Sequence, residues 1–288
     1  MIERYDFKLI KSGKEIEVYE YKTKKIIKGY TRKKKDKITK ELDKKAKQKQ
    51  KDYIELVEMF GCKEDVDKIK KEQKRKTTFS ISRTRTNIRR ITNSNPHLNK
   101  FLTLTFAKSM PYLSEANKLF NTAIKRILRA NPNFEYIAVV EFQKDTDYHG
   151  NIKPLGGSVH YHLLCNIEML DNITLKKLFA WERMFAKKYW KNGFIKVKDV
   201  KTVDNMGAYF CKYLSKDMFD KRMFGKKKFF CSRSLNKPVE FIGFKARSFF
   251  DKYVSTKPVY ERTFTNVYIG KVEYSAYSLK KKSEEERL

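Results

Sequence analysis

The stretch Ser158-Val159-His160-Tyr161-His162-Leu163-Leu164 contains two of the four histidines of the chain. Successive side chains of a β-strand point to opposite faces, so His160 and His162 would share one face and the apolar residues around them the other. A second apolar stretch, residues 134–143, precedes it, and residues 145–151 between the two are rich in turn formers. The pattern predicts two antiparallel strands joined as a hairpin.

Hydrophobic periodicity predicts further elements around this hairpin. They are strands over 101–106, 194–200, 228–231 and 240–244, and helices over 113–130, 174–190 and 205–216. The order β-α-β-β-α-β-α-β predicts an α+β fold with a ferredoxin-like (RRM-like) core, in which a central antiparallel sheet carries helices on one face. We expect a basic appendage of strands and helix over 1–80, the main domain over 81–250 and a C-terminal tail over 251–288.

The charge of the chain indicates the class of partner. A formal net charge of +32 over 288 residues would destabilise the compact state by self-repulsion, which favours a polyanionic partner. Ribosome association or a generally basic surface would produce the same charge. Apolar runs stay below the ~18 residues that span a bilayer, the N-terminus lacks a signal-peptide core, and the four cysteines lie far apart. These features predict a cytoplasmic protein.

The histidine hairpin predicts a metal site. A turn near Asn151 would place Glu141 opposite His160, with Gln143 on the same face. Two imidazoles and a carboxylate leave open positions for water and phosphate oxygens, which suits Mg²⁺ or Mn²⁺ acting as a Lewis acid. The alternative is that the histidines are ordinary half-buried strand residues.

Two tyrosines follow at helical spacing. Tyr209 and Tyr213 would lie on one face of the helix over 205–216, and Lys212 and Lys216 follow each of them by three residues. Tyrosine has a reference pKa near 10, so a nucleophilic phenol needs nearby positive charge or a metal ion. Lysines could also neutralise charge on a phosphorus transition state. The alternative is core packing, which this spacing also serves.

A basic segment precedes the main domain. Residues 80–90 could form a helix that presents Arg83, Arg85, Arg89 and Arg90 to DNA phosphates, or simply a solvated helix face. The Lys-rich region 31–76 contains part of a charged helix, and we expect it to bind origin duplex.

Three motifs together resemble those of the HUH endonucleases, in particular the replication initiators of rolling-circle plasmids and small bacteriophages. Phe101-Leu102-Thr103-Leu104-Thr105-Phe106 resembles the first strand motif of the family, and His160-Tyr161-His162 its histidine-hydrophobic-histidine motif. The third match, Tyr209-Phe210-Cys211-Lys212-Tyr213-Leu214-Ser215-Lys216, resembles the doubled tyrosine motif of the two-tyrosine phage initiators. The resemblance covers residues 80–240.

The resemblance implies a nuclease that nicks one strand of a DNA origin. The products would be a covalent 5′-phosphotyrosine and a free 3′-OH, and the same site would rejoin ends without a nucleotide cofactor. Single-tyrosine relatives fit Tyr209 better, so Tyr213 is either a second nucleophile or a packing residue. The chain contains no G-x-x-x-x-G-K-[ST] phosphate loop, so we expect a bacterial host to supply the helicase as well as the polymerase.

Two other functions fit parts of the sequence. A conjugative relaxase or transposase of the same superfamily would share the chemistry. A basic module on a ferredoxin-like sheet would bind single-stranded nucleic acid without catalysis.

Overall fold

The computed structural model describes residues 3–28, 37–146, 149–169, 174–211, 221–223 and 226–279. The chain divides into two compact units, which are described separately. Within the described residues, the first unit comprises parts of Met1–Leu9, Val18–Arg83 and Phe241–Ala276, and the second parts of Ile10–Glu17, Thr84–Glu240 and Tyr277–Leu288.

The elements follow in chain order. The strands are β1 Glu3–Tyr5, β2 Phe7–Ser12, β3 Glu15–Tyr21, β4 Ile26–Lys28, β5 Lys100–Phe106, β6 Tyr136–Phe142, β7 Val159–Cys165, β8 Gly193–Asp199, β9 Phe229–Cys231, β10 Val239–Ile242, β11 Tyr260–Asn266 and β12 Gly270–Ser278. The helices are α1 Lys37–Phe60, α2 Lys63–Asn93, α3 Leu113–Ala130, α4 Leu175–Phe185, α5 Met206–Cys211 and α6 Gly243–Tyr253. A π-helical turn, Ala186–Trp190, continues α4.

The second unit contains the predicted antiparallel sheet. Its strand order is β8-β5-β7-β6-β9, and each pair along β8-β5-β7-β6 is antiparallel. β7 therefore lies between β5 and β6, which are joined through α3, as in the split β-α-β arrangement. The predicted α+β fold is confirmed, and the predicted strands of this sheet begin and end within two residues of their observed bounds.

One face of this sheet forms the hydrophobic core with α3 and α4. Phe120 of α3 stacks on Tyr161 of β7 with ring centroids 4.3 Å apart, and both side chains are fully buried. Burial raises the pKa of Tyr161, whose hydroxyl donates to Asn117 Oδ1 at 2.8 Å. Burying one such aromatic side chain contributes about 1.5–3 kcal/mol. These contacts fix which face of the central strands is turned away from α3 and α4.

The opposite face of the sheet is partly polar and carries α5. The alternating strand sequence puts Thr103 and Thr105 of β5 on this face, in line with the two histidines. Phe101 contacts the rings of Tyr209 and Phe210 in α5, with centroids 5.9 Å and 6.1 Å away. Helices therefore lie on both faces, with the predicted pair on the core face and the short α5 on the other.

The first unit differs from the expected appendage and tail. A second sheet, with order β10-β2-β3-β12-β11, takes most of its residues from this unit and pairs N-terminal with C-terminal strands. Residues 251–288 were expected to form a tail, yet they include β11 and β12. The side chains of β11 are mostly exposed and polar, so its sequence lacks the alternation that marks a half-buried strand.

Two more differences concern helices. The predicted strand over 240–244 ends at Ile242, and α6 begins at Gly243, whose φ of 56° turns the chain. The charged helix expected within 31–76 is confirmed as α1 and the first part of α2. Among the residues that the structure describes, no helix is both long and apolar enough to cross a membrane.

Candidate active site

The predicted register of the histidine hairpin is confirmed. Glu141 of β6 lies directly opposite His160 of β7, and His162 lies opposite Val139. On the other side of β7, Thr105 pairs with His160 and Thr103 with His162. Directly paired residues project on the same side of a sheet, so the carboxylate and both imidazoles share one face.

His162 is held by contacts at both ring nitrogens. Its Nε2 is hydrogen-bonded to a Glu141 carboxylate oxygen, and its Nδ1 lies 3.1 Å from Thr103 Oγ1. Phe101 stacks on the imidazole, with ring centroids 5.6 Å apart. With the proton on Nε2, His162 donates to the carboxylate and accepts from the threonine hydroxyl. These contacts fix the orientation of the buried ring.

His160 has an unsatisfied nitrogen. Its Nε2 is buried without a hydrogen-bond partner, and its ring centroid lies 6.5 Å from that of His162. Burial, with a smaller contribution from His162, lowers the pKa of His160. A neutral imidazole keeps a lone pair, and a buried polar atom without a partner requires an explanation. The nitrogen is suited to a cation.

The donor set matches a divalent metal ion in chemistry, although its side chains are not gathered round one point. Within the described ranges, no group of three or more His, Cys, Asp or Glu side chains is arranged to hold a metal. The Glu141 carboxylate is turned to His162 Nε2, so binding by all three would require this pair to separate. Gln143 follows the end of β6, and its side chain is exposed.

Tyr209 lies over the same face of the sheet as the histidines. Its half-buried ring meets Phe101 edge-on, at 5.9 Å and 76°, while Phe101 stacks on His162. α5 starts where predicted, because Asn205 Oδ1 accepts from the backbone N–H of Ala208 at 2.9 Å and caps the helix. The predicted ligands and this tyrosine are therefore brought to one face.

Three other predicted residues of the site fall beyond α5. Lys212, Tyr213 and Lys216 lie outside the described residues. Their roles stay predictions from the sequence.

The four arginines of α2 have different surroundings. Arg83 and Arg85 are exposed. Arg89 and Arg90 both bind Glu17, a strand carboxylate that is only 5% exposed, and Arg90 Nε donates to it at 3.0 Å. Arg89 and Arg90 therefore have a structural role that the sequence pattern did not reveal.

Sequence reasoning also missed the contacts of β5. Thr103 and Phe101 orient His162, but only as part of a strand motif could they be singled out. The available signal was the alternation of threonine with leucine in residues 102–105, which marks a polar face within an apolar strand.

Residues 99–218 match a family model of replication-associated proteins, the ORF2 family. The match covers less than half of the chain, and it includes every predicted metal ligand and both tyrosines. It supports a replication initiator. No curated protein and no solved structure matches the chain significantly.

Proposed function

We propose that the protein initiates rolling-circle replication by nicking one strand of an origin and later rejoining it. The observation that carries this proposal is the shared contact with Phe101, which brings the Tyr209 ring over the face that bears His160, His162 and Glu141. The match of this region to replication-associated proteins supports the same function.

Tyr209 is the proposed nucleophile. Its phenol oxygen attacks the phosphorus of a DNA phosphodiester and forms a tyrosine–phosphate bond, while the bond from phosphorus to the 3′-oxygen breaks. The phenol proton is lost to solvent, and the departing 3′-oxygen takes up a proton to become a 3′-OH. The new ester retains the energy of the phosphodiester, so a 3′-OH can reverse the reaction. In this proposal Tyr213 performs the second attack at termination.

His160, His162 and Glu141 would hold Mg²⁺ or Mn²⁺, with Gln143 as a further candidate ligand. A bound ion would supply Lewis-acid charge against a phosphate oxygen. Thr103 and Phe101 keep the His162 ring in the plane that its contacts define. Lys212 and Lys216 are proposed to offset negative charge that builds up at phosphorus.

The test is formation of a covalent adduct. Labelled single-stranded DNA carrying candidate origin hairpins is incubated with the protein and Mn²⁺ and resolved on denaturing gels. We expect an adduct with wild type and with Tyr112→Phe, an exposed tyrosine outside the site, and at least a 100-fold smaller yield with Tyr209→Phe. Tyr213→Phe and the double variant rank the two tyrosines.

A matched histidine pair tests the metal ligands. His97 and Glu135 form a contact like that of His162 and Glu141, with 2.6 Å between Nε2 and Oε2. We expect His160→Ala to abolish adduct formation and metal-dependent protection against thermal unfolding, and His97→Ala to leave both unchanged. Equal effects of the two variants would contradict the assignment.

The alternatives predict different results in the same assays. A relaxase or transposase would form the adduct on transfer-origin or transposon-end DNA. DNA binding without an adduct on any tested strand would favour a non-catalytic binding module.

A further inference from the structure

The edge strand β8 presents an aromatic side chain and two lysines beside the candidate site. Phe194, Lys196 and Lys198 alternate along β8 with Ile195 and Val197, which are buried in the core. We propose that these three exposed residues form a track that holds the single strand of DNA entering the nicking site. The inference rests on the proposed function and adds a substrate-binding surface to it.

Strand register places the track in line with the site. Phe194 pairs with Thr105, which pairs with His160 on its other side. Lys196 likewise pairs with Thr103, the partner of His162. Neighbouring strands lie about 4.8 Å apart, so each row runs about 10 Å from β8 to the histidine strand. A strand of DNA lying across these rows would reach both surfaces.

Phe194 is the unusual member of the track. It is 68% exposed, although the other face of the same strand is well buried. A free phenyl face suits stacking by a nucleobase, which is largely independent of base sequence. The exposed Lys196 and Lys198 follow on the same face and suit the phosphates that come with the base.

A close backbone contact fixes where the track begins. Gly193, the first residue of β8, has φ of 150°, and a Cβ there would lie 2.3 Å from the Thr105 carbonyl oxygen. The indole N–H of Trp190 donates to the same oxygen at 2.9 Å. These contacts tie the start of β8 to β5 and keep Phe194 level with His160.

The composition of the track favours single-stranded DNA over other occupants. A duplex hides its base faces, whereas a single strand offers them together with its phosphates. An apolar protein segment would have to cover two lysines, and unpaired buried charge is costly. The formal net charge of +32 favours a polyanion as well.

The test is binding of a fluorescent single-stranded origin oligonucleotide to the full chain, followed by anisotropy in the presence of a chelator so that cleavage does not interfere. We expect Phe194→Ala to weaken binding about 5- to 150-fold, as for the loss of one stacked base, and Phe194→Trp to restore it. Lys196→Gln with Lys198→Gln should lower the slope of log affinity against log salt by about 1.4.

Matched controls come from the opposite side of the sheet. Phe179 in α4 is 50% exposed, and Lys176 and Lys177 are exposed beside it. We expect Phe179→Ala, and Lys176→Gln with Lys177→Gln, to bind single strands as wild type does. Phe194→Ala should leave duplex binding unchanged.

The track is overturned if the Phe194 and lysine variants bind like wild type or like their controls. Tighter binding of the matching RNA would overturn the choice of DNA. Tyr209→Phe separates this result from the proposed function, because it should bind DNA normally and fail only to form the adduct. An adduct with Tyr209→Phe would refute that nucleophile and leave the binding result standing.

Discussion

Glu17 is a buried carboxylate held between two guanidinium groups, and it shows how single residues stabilise this protein. We expect Glu17→Gln to lower the free energy of unfolding by about 3 kcal/mol, at the lower end for a broken buried ion pair, because the Arg89 side chain remains 37% exposed. Urea unfolding measures the change. Glu20→Gln, which breaks a surface pair with Lys22, should cost less than about 1 kcal/mol. Equal losses would show that Glu17 acts as a surface charge.

The cysteines provide a second residue-scale prediction. Cys62 is exposed, whereas Cys165 and Cys211 are buried, and burial raises the pKa of both buried thiols, that of Cys165 to about 12. We expect a thiol reagent at pH 8 to modify Cys62 rapidly and these two only after unfolding, because the thiolate is the reactive form. Cys62→Ser should remove the rapid phase. Rapid loss of a buried thiol in that variant would contradict the burial.

The residues of the site differ in how far the sequence predicts them. Glu141 could be placed opposite His160 because strand alternation and one turn determine a hairpin register. The hydrogen bond of Thr103 to His162 joins strands 59 residues apart in sequence, and the Glu17–Arg89 pair spans 72 residues. Such pairings depend on how the elements pack, which local periodicity does not contain.

At the scale of elements, the start of β8 is the most constrained junction. Gly193 meets the backbone of β5, while Gly150 also has positive φ, 86°, but nothing within 4 Å of a Cβ. We expect Gly150→Ala to cost about 1 kcal/mol from its backbone conformation alone. Gly193→Ala should cost about 2 kcal/mol more, because the added methyl group overlaps the Thr105 carbonyl. Thermal or urea unfolding of the two variants makes the comparison, and equal costs would exclude the contact.

The core elements were predictable because each has a buried and an exposed side. α3, with six buried residues at helical spacing, runs over the predicted residues 113–130. α6 and β11 were missed since α6 buries only Ala246 and β11 is mostly exposed. Without a clear apolar face, local sequence does not distinguish such elements from loops.

At the scale of the whole molecule, the positive charge should govern DNA affinity. In α1, Lys44, Lys45, Lys47, Lys49 and Lys51 are exposed. We expect substitution of these five by glutamine to weaken duplex binding and to lower its salt slope by up to about 4.5, with single-strand adduct formation unchanged. Circular dichroism checks that the helix persists, since glutamine is a good helix former. Unchanged origin affinity would refute a role of the Lys-rich region in duplex binding.

The pairing of β3 with β12 determines when the protein can be completed during its synthesis. Gly270, the first residue of β12, follows Tyr21 by 249 residues, and the rings of Tyr19 and Tyr274 meet at 5.0 Å. At typical elongation rates the early strands wait about 10 to 50 s for their neighbour to leave the ribosome. The ferredoxin-like core between them needs no such delay. A ribosome that stops early would therefore release a folded nuclease core whose first strands still lack a neighbour.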